Sequence, residues 1–137
     1  MNAPSKDIQD LLTAEALVDS SFATMLAAFP LNRAILDESK SNCGRILDFS
    51  GRKPQLTMDR ATYEHPTVQI TVKCVDYDAG YLFLKAIIDI LHGIGNTEIG
   101  GMYYALIECL NGPTFLERIN QKTVFIANFM IQRRPVS

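Results

Sequence analysis

The chain has 137 residues, of which 47 % are hydrophobic and 20 % are charged, and its formal net charge is −2. This length is typical of one domain, and this composition excludes an intrinsically disordered chain. The weak negative charge disfavours a general nucleic-acid binder, which would normally be basic. We therefore expect a single globular domain over residues 1–137.

The cysteines and the start of the chain indicate the compartment. The chain has three cysteines, Cys43, Cys74 and Cys109. Their odd number and wide spacing argue against a disulfide scaffold and favour a reduced, cytosolic environment. The first residues carry no basic region before an apolar run, so no signal peptide is predicted. No stretch approaches 18 uninterrupted apolar residues, so no membrane span is predicted.

The first 65 residues predict one helix and two short strands. A helix begins at Ser5 as N-cap and ends at Asp19, with an apolar stripe at helical spacing. A serine pair before Phe22–Phe29 and Pro30 after it favour a short strand there. Residues 31–43 are expected to form a surface loop, Arg45–Phe49 a strand, Ser50–Pro54 a turn, and residues 55–65 a polar connection.

The middle of the chain has the clearest patterns. Thr67–Val75 alternates strictly between apolar and polar residues, which predicts a strand with one core face. Asp76–His92 predicts a helix whose polar strip is narrow, so that its other apolar side should be covered by the first helix or by a neighbouring subunit. Asp76 is expected to cap it, and Gly93 to end it.

The last third predicts two further strands. Residues 96–101 read as a hairpin-like link with Gly100-Gly101 at its turn, followed by a strand over Met102–Leu110 that Asn111–Pro113 breaks. Lys122–Arg133 is apolar on both faces and predicts a central strand, or one whose second face meets another chain. The order α-β-β-β-α-β-β indicates an α+β fold: a single mixed or antiparallel sheet with two main helices packed on one face.

Polar residues interrupt three of the predicted strands. Gln69, Thr71 and Lys73 lie on one strand, Glu108 on the next and Asn128 on the last. Strand pairing could gather them onto a single face of the sheet. That face is either an ordinary solvated surface or the lining of a channel or subunit contact.

No pattern of catalytic or metal-binding residues is present. The sequence has no CxxC pair and no glycine-rich nucleotide loop, and its carboxylates form no paired motif. His92 at a helix end and His65 before Pro66 read as structural residues, and the cysteines read as small hydrophobic residues. We therefore expect no enzyme activity, no cofactor and no metal.

Basic residues cluster in two segments. They are Arg45, Arg52, Lys53 and Arg60 in the first, and Arg133 and Arg134 in the second. Solvated charge explains them most simply, a docking loop for an acidic protein partner comes next, and direct DNA contact comes third because aromatic residues do not accompany them.

Several motifs in order resemble one family. A strand ends in a Gly-Arg-x-Pro loop over Ile46–Pro54, Tyr63–Val72 contains Pro-Thr-Val-Gln, and Leu91–Gly95 reads Leu-His-Gly-Ile-Gly. Gly112-Pro113 and Asn128-Phe129 follow. Over residues 44–134 this order resembles the tail terminator or minor capsid protein family of long-tailed bacteriophages. The segment 116–122 departs from the family because it lacks the glycines of the usual hairpin.

The resemblance implies a structural virion protein. It would form a hexameric ring that caps the tail tube, stops its polymerisation and offers a docking surface to the head connector. Its partners would be further copies of itself, the tail tube protein and the head connector or head-completion protein, with DNA passing through the lumen unbound and no membrane contact. Its location would be the virion tail or neck, and the host cytoplasm during assembly.

That function assigns three groups of residues. The expected subunit interface comprises Leu84, Ile88, Phe125 and Phe129. The expected axial docking loop comprises Ser50, Gly51, Arg52 and Lys53. The expected lumen-facing residues are Gln69, Lys73, Glu108 and Asn128.

Other classes of function stay open on the sequence. A head-completion or connector-adaptor protein of the neck would share the ring but act on the portal side. A small α+β ligand-binding domain or enzyme, and an oligomeric adaptor unrelated to phages, are the remaining alternatives.

Overall fold

A computed structural model describes residues 3–33, 36, 40–56 and 62–136, without the side chains of residues 50–56, 62–63 and 119. Its elements, in chain order, are α1 (Pro4–Val18), α2 (Ser20–Ala28), β1 (Leu31–Arg33), β2 (Cys43–Leu56), β3 (Thr62–Cys74), α3 (Tyr77–Leu91), β4 (Thr97–Ile99), β5 (Met102–Ile119) and β6 (Lys122–Pro135). In the described part of the chain, no helix has the length and apolar character needed to cross a membrane.

The strands form one mixed sheet in the order β1-β2-β3-β6-β5-β4. Strand β1 pairs with β2 in parallel, and every other pair is antiparallel. Strand β6 lies between β3 and β5, which confirms the central position predicted from its two apolar faces. The predicted α+β fold is confirmed.

The hydrophobic core lies between one face of the sheet and the helices. On β3 and β6, Val68, Ile70 and Val72 stand opposite Phe129, Ala127 and Phe125, and all six are buried. Helix α1 contacts β1, β2 and β3, while α3 contacts β3, β5 and β6. The alternation of Thr67–Val75 therefore identified the core face correctly.

Helix α2 occupies residues 22–28 of the predicted strand Phe22–Phe29, so that prediction is wrong. Asp19 caps the helix, because its Oδ1 accepts hydrogen bonds from the backbone N–H groups of Ser21 and Phe22 at 3.0 and 3.2 Å. The rings of Phe22 and Phe29 both stack on Phe83 of α3, with centroids 6.2 and 4.8 Å away. The serine pair, Ser20 and Ser21, thus lies at the start of helix α2. Helix α2 covers the second apolar side of α3.

Helix α1 begins differently from the prediction. Its N-cap is Ala3, Pro4 follows at the first position, and Ser5 lies within the first turn. The carboxylate of Asp48, on β2, accepts hydrogen bonds from the backbone N–H of Ser5 at 2.8 Å and from its hydroxyl at 2.7 Å. A side chain from the sheet therefore satisfies a free N–H of the helix start and ties α1 to β2.

Apart from the predicted connection 55–65, of which residues 55–56 lie in β2 and 62–65 in β3, three predicted loops or breaks are strands in the structure. Residues 31–33 of the predicted loop form β1, whereas residues 34, 35 and 37–39 lie outside the described residues. Strand β5 continues past Asn111–Pro113 to Ile119, with register shifts on both sides of Asn111. These irregularities accommodate Pro113, which has no N–H to donate to a regular ladder. The third case, Ser50–Pro54, is described with the site.

The end of β5 and the start of β6 form a projecting hairpin, which we call the hairpin arm (residues 114–123). Its turn residues Asn120 and Gln121 have φ angles of 49° and 65°, as a two-residue hairpin turn of this kind requires. Most of the arm's described side chains are exposed, although Phe115 and Leu116 are apolar. The arm thus keeps the hairpin predicted for this segment without a glycine at its turn.

Candidate functional site

The face of the sheet opposite the helices gathers the predicted lumen residues. Gln69 stands directly opposite Asn128, and Lys73 stands opposite Val124 on the same strand pair. Glu108 stands opposite Met130, two residues from Asn128 on β6. Because alternate residues of a strand share a face, all four lie on one side of the sheet.

The centre of this helix-free face is polar. The side-chain amide of Gln69 donates to Oδ1 of Asn128 at 3.2 Å. Asn111 of β5 extends the row, and its Oδ1 accepts a hydrogen bond from the backbone N–H of Asn128 at 3.0 Å. The row therefore crosses β3, β6 and β5 as an uncharged ladder of amides.

A pair of cations lies at one end of the helix-free face. Arg45 stands opposite Thr71 on β2 and β3, and its Nη2 donates to the Thr71 hydroxyl at 3.4 Å. The Nε of Arg45 is buried and has no hydrogen-bond partner in the described part of the chain. Lys73, two residues along the same face, is also buried. Positive charge is therefore concentrated near one end of the face, while Glu108 lies towards the other.

Apolar side chains alternate with these polar groups. The residues that the sequence analysis did not assign to this face are Leu47 on β2, Ile126 and Met130 on β6, and Leu106 on β5. The positions of Ile126 and Met130, each two residues from Asn128, carried the signal on β6, but the apolar pattern on both sides of that strand concealed it. The face is therefore half apolar.

The predicted docking residues do not form a loop. Ser50, Gly51, Arg52 and Lys53 belong to β2, which extends to Leu56. The pairing with β3 shifts in register between Phe49 and Arg52 and again between Arg52 and Gln55. Gly51 and Pro54 therefore mark bulges in a continuous strand rather than its end. Residues 57–61 of the predicted connection, including Arg60, lie outside the described residues.

The residues predicted to contact another subunit lie in the core. Leu84, Phe125 and Phe129 are 0, 1 and 0 % exposed, and Ile88 is 8 % exposed. All four belong to the hydrophobic core, so their side chains are not exposed for a contact between subunits in this structure.

Exposed aromatic residues near the hairpin arm were missed. Tyr77 and Tyr81, one turn apart on α3, make edge contacts with the ring of Phe125 at 4.9 and 6.1 Å, and Phe115 makes another at 6.5 Å. All three outer rings are exposed to solvent. Their shared neighbour Phe125 could not be recognised from sequence because it depends on the register of β5 with β6.

A buried polar cluster joins α1 to the sheet. The hydroxyl of Tyr104 donates to Oδ2 of Asp7, and Nη1 of Arg133 lies 3.4 Å from the same oxygen. Nε of Arg133 donates to Glu64 at 3.0 Å. Burial, followed by the hydrogen bond to Asp7, raises the pKa of Tyr104 well above its ordinary value. Arg133, predicted to be solvated charge, is therefore a buried structural residue.

The histidines and cysteines take structural positions. His65 is buried, and Nδ1 of His92 accepts a hydrogen bond from the backbone N–H of Cys109 at 2.9 Å, which links the end of α3 to β5. Burial raises the pKa of Cys74 and of Cys109, so both thiols stay protonated at neutral pH. Among the described residues, no three histidine, cysteine, aspartate or glutamate side chains are grouped so as to hold a metal ion.

Comparison with known proteins identifies the fold. No protein-family model matches the chain, and no curated protein matches it significantly. A solved chain described as "Virion of native gene transfer agent (GTA) particle" is similar to it, with a TM-score of 0.68 and 10 % sequence identity. The match covers 96 % of this chain and 95 % of that chain. The two chains therefore share a fold over nearly their whole lengths.

Proposed function

We propose that this protein is a structural component of a virion and acts as a tail terminator. Six copies would form a ring on the last ring of tail-tube subunits, stop the polymerisation of the tube and dock the head connector. The observation that carries the proposal is the whole-length likeness to a chain from a gene transfer agent virion. The order of motifs in residues 44–134 supports the finer assignment to a tail terminator.

The helix-free face suits the lumen of such a ring. DNA that passes through must not be held, and affinity for DNA rises with the number of phosphates neutralised by lysine and arginine. The centre of the face is the uncharged pair Gln69 and Asn128, and the cations Arg45 and Lys73 lie at one end, away from that centre. In the ring, Gln69, Glu108 and Asn128 face the DNA while Lys73 stays largely buried in the same face, and the free protein is expected to bind DNA weakly.

The irregular end of β2 is the proposed axial contact. Its two register shifts disrupt regular pairing around Arg52, and an irregular strand end is a common place for a binding surface. Ser50 to Lys53 supply two positive charges there. We assign this segment to the tail tube protein or the head connector.

Electron microscopy of particles assembled without this gene tests the proposal. Overlong, irregular tubes beside unattached full heads are expected if the protein terminates tails. Resupplying the wild-type gene should restore tail length, which excludes an effect on neighbouring genes.

Other phenotypes would assign the protein elsewhere. Tails of normal length beside tailless heads would make it a head-completion or connector-adaptor protein of the neck, with the same fold but another partner. Normal infectious particles would refute both virion roles, and a thermal-shift screen of metabolites would then test the ligand-binding alternative.

A further inference from the structure

A groove lies between the first two helices and the end of α3. It encloses about 470 Å³ and is lined by Glu15, Asp19, Ser21, Phe22, Met25, Ala86, Asp89 and Ile90. Its floor is apolar and three carboxylates stand at its rim. We call it the helix groove.

The rim of the helix groove keeps a negative charge. Asp89 is paired with Lys85, whose Nζ lies 3.1 Å from Oδ1, so these two charges offset each other. Asp19 accepts two backbone hydrogen bonds at the start of α2, which leaves its charge in place. Together with Glu15 it makes the groove a site for an apolar side chain that is accompanied by a cation.

The hairpin arm offers that combination. Phe115 stands opposite Phe125, and Arg118 stands opposite Thr123 on the same face of the arm. The Phe115 side chain is 53 % exposed, and Arg118 is exposed beside it. Lys122 and Glu117 lie on the other face of the arm, where the positive charge of one offsets the negative charge of the other. The helix-side face of the arm is thus aromatic and positively charged.

The arm and the groove lie at opposite ends of α3. The arm is next to Tyr77 at the first turn, whereas the groove uses Ile90 near the last turn. Thirteen residues of helix separate them, which corresponds to about 20 Å. A ring needs two different, complementary surfaces on each copy, because a surface that contacts itself closes into a dimer. This chain has such a pair.

We infer that the hairpin arm of one copy docks in the helix groove of the next. Phe115 enters the apolar floor, and Arg118 faces Glu15 and Asp19 of the neighbour. The inference rests on the proposed function, since it describes how the ring closes. The occupant is a second copy because this chain itself carries both complementary surfaces.

Charge reversal tests the contact in assembling particles. Arg118→Glu and Glu15→Lys should each reproduce the overlong tails of the gene deletion, and the double variant should restore normal length. In sedimentation of the purified full-length protein, each single variant should weaken self-association by at least about tenfold, and the double variant should recover most of it. Circular dichroism must show that all three variants fold.

Matched controls separate the contact from a general effect of charge. Lys122→Glu makes the same change on the other face of the same hairpin, and Asp10→Lys makes it on α1 outside the groove. Both should assemble normally. If these controls fail as severely as the test variants, or if the double variant does not recover, the proposed pairing is wrong.

The outcomes distinguish this inference from the proposed function. If the deletion lengthens tails but Arg118→Glu and Glu15→Lys both complement it, the protein is a terminator whose ring closes through another surface. If the single variants lose head attachment while self-association is unchanged, the groove binds a different protein, which overturns the inference. If the deletion has no phenotype, sedimentation still decides, and a monomer at every concentration refutes the contact.

Discussion

Replacing Leu84 distinguishes a core residue from an interface residue. Its side chain is fully buried on α3, facing the sheet, in the same cluster as Ile87 and Leu91. Leu84→Ala removes three carbon atoms and leaves a cavity that its packed neighbours fill only in part. Substitutions of this kind cost about 2–5 kcal/mol of the free energy of unfolding. For a domain of this size, a loss of about 3 kcal/mol lowers Tm by roughly 10 °C.

Leu82→Ala is the matched control on the same helix. Leu82 is 56 % exposed, so its truncation should change the free energy of unfolding by less than about 0.5 kcal/mol. Urea denaturation followed by circular dichroism measures the free energy of unfolding of both variants. The comparison requires that this free energy depends on urea concentration with the same slope in both. If Leu84→Ala were as stable as the wild type but failed to assemble, the core assignment would be refuted and Leu84 would belong to a subunit contact.

Two further predictions concern the polar contacts that hold α1 to the sheet. Tyr104→Phe removes a hydrogen bond to Asp7 and should cost about 1–3 kcal/mol of the free energy of unfolding. Because the pKa of Tyr104 is raised in the folded state, the wild type should lose stability as pH rises above the ordinary tyrosine value near 10, and the variant should lose less. Urea denaturation between pH 8 and 11 measures the free energy of unfolding of both proteins. An equal loss of that free energy with pH in the two proteins would contradict the prediction. Asp48→Ala should lower the free energy of unfolding by about 1–2 kcal/mol and increase amide hydrogen exchange at the start of α1. Asp10→Ala breaks only an exposed ion pair and should lower the free energy of unfolding by less than about 0.5 kcal/mol.

The sheet was largely predictable because its patterns are local. The alternation from Thr67 to Val75 identifies the core face, and the polar residues that interrupt it share the opposite face with Asn128. A period of two carries this information without any knowledge of the pairing partner. The bulged extensions of β2 and β5 were not predictable, because glycine and proline mark a bulge and a strand end in the same way.

The missed helix α2 affected the interpretation of α3. Reading Phe22–Phe29 as a strand removed the helix that packs on Phe83, so the second apolar side of α3 was left without a cover. The first helix and a neighbouring subunit therefore remained as the two candidate covers. A short apolar run carries too few residues to separate the helical period from the strand period. The capping role of Asp19 was the local signal for the helix.

The central position of β6 has a consequence for synthesis in the cell. Strands β3 and β5 are made before β6, and each pairs with it along most of its length. Until β6 follows, both carry open edges that other chains can join. At about 5–20 residues per second, the ribosome takes seconds to pass from the end of β3 to the end of β6. During that time the incomplete sheet is open to pairing with other chains, a risk that ends only when β6 has been made.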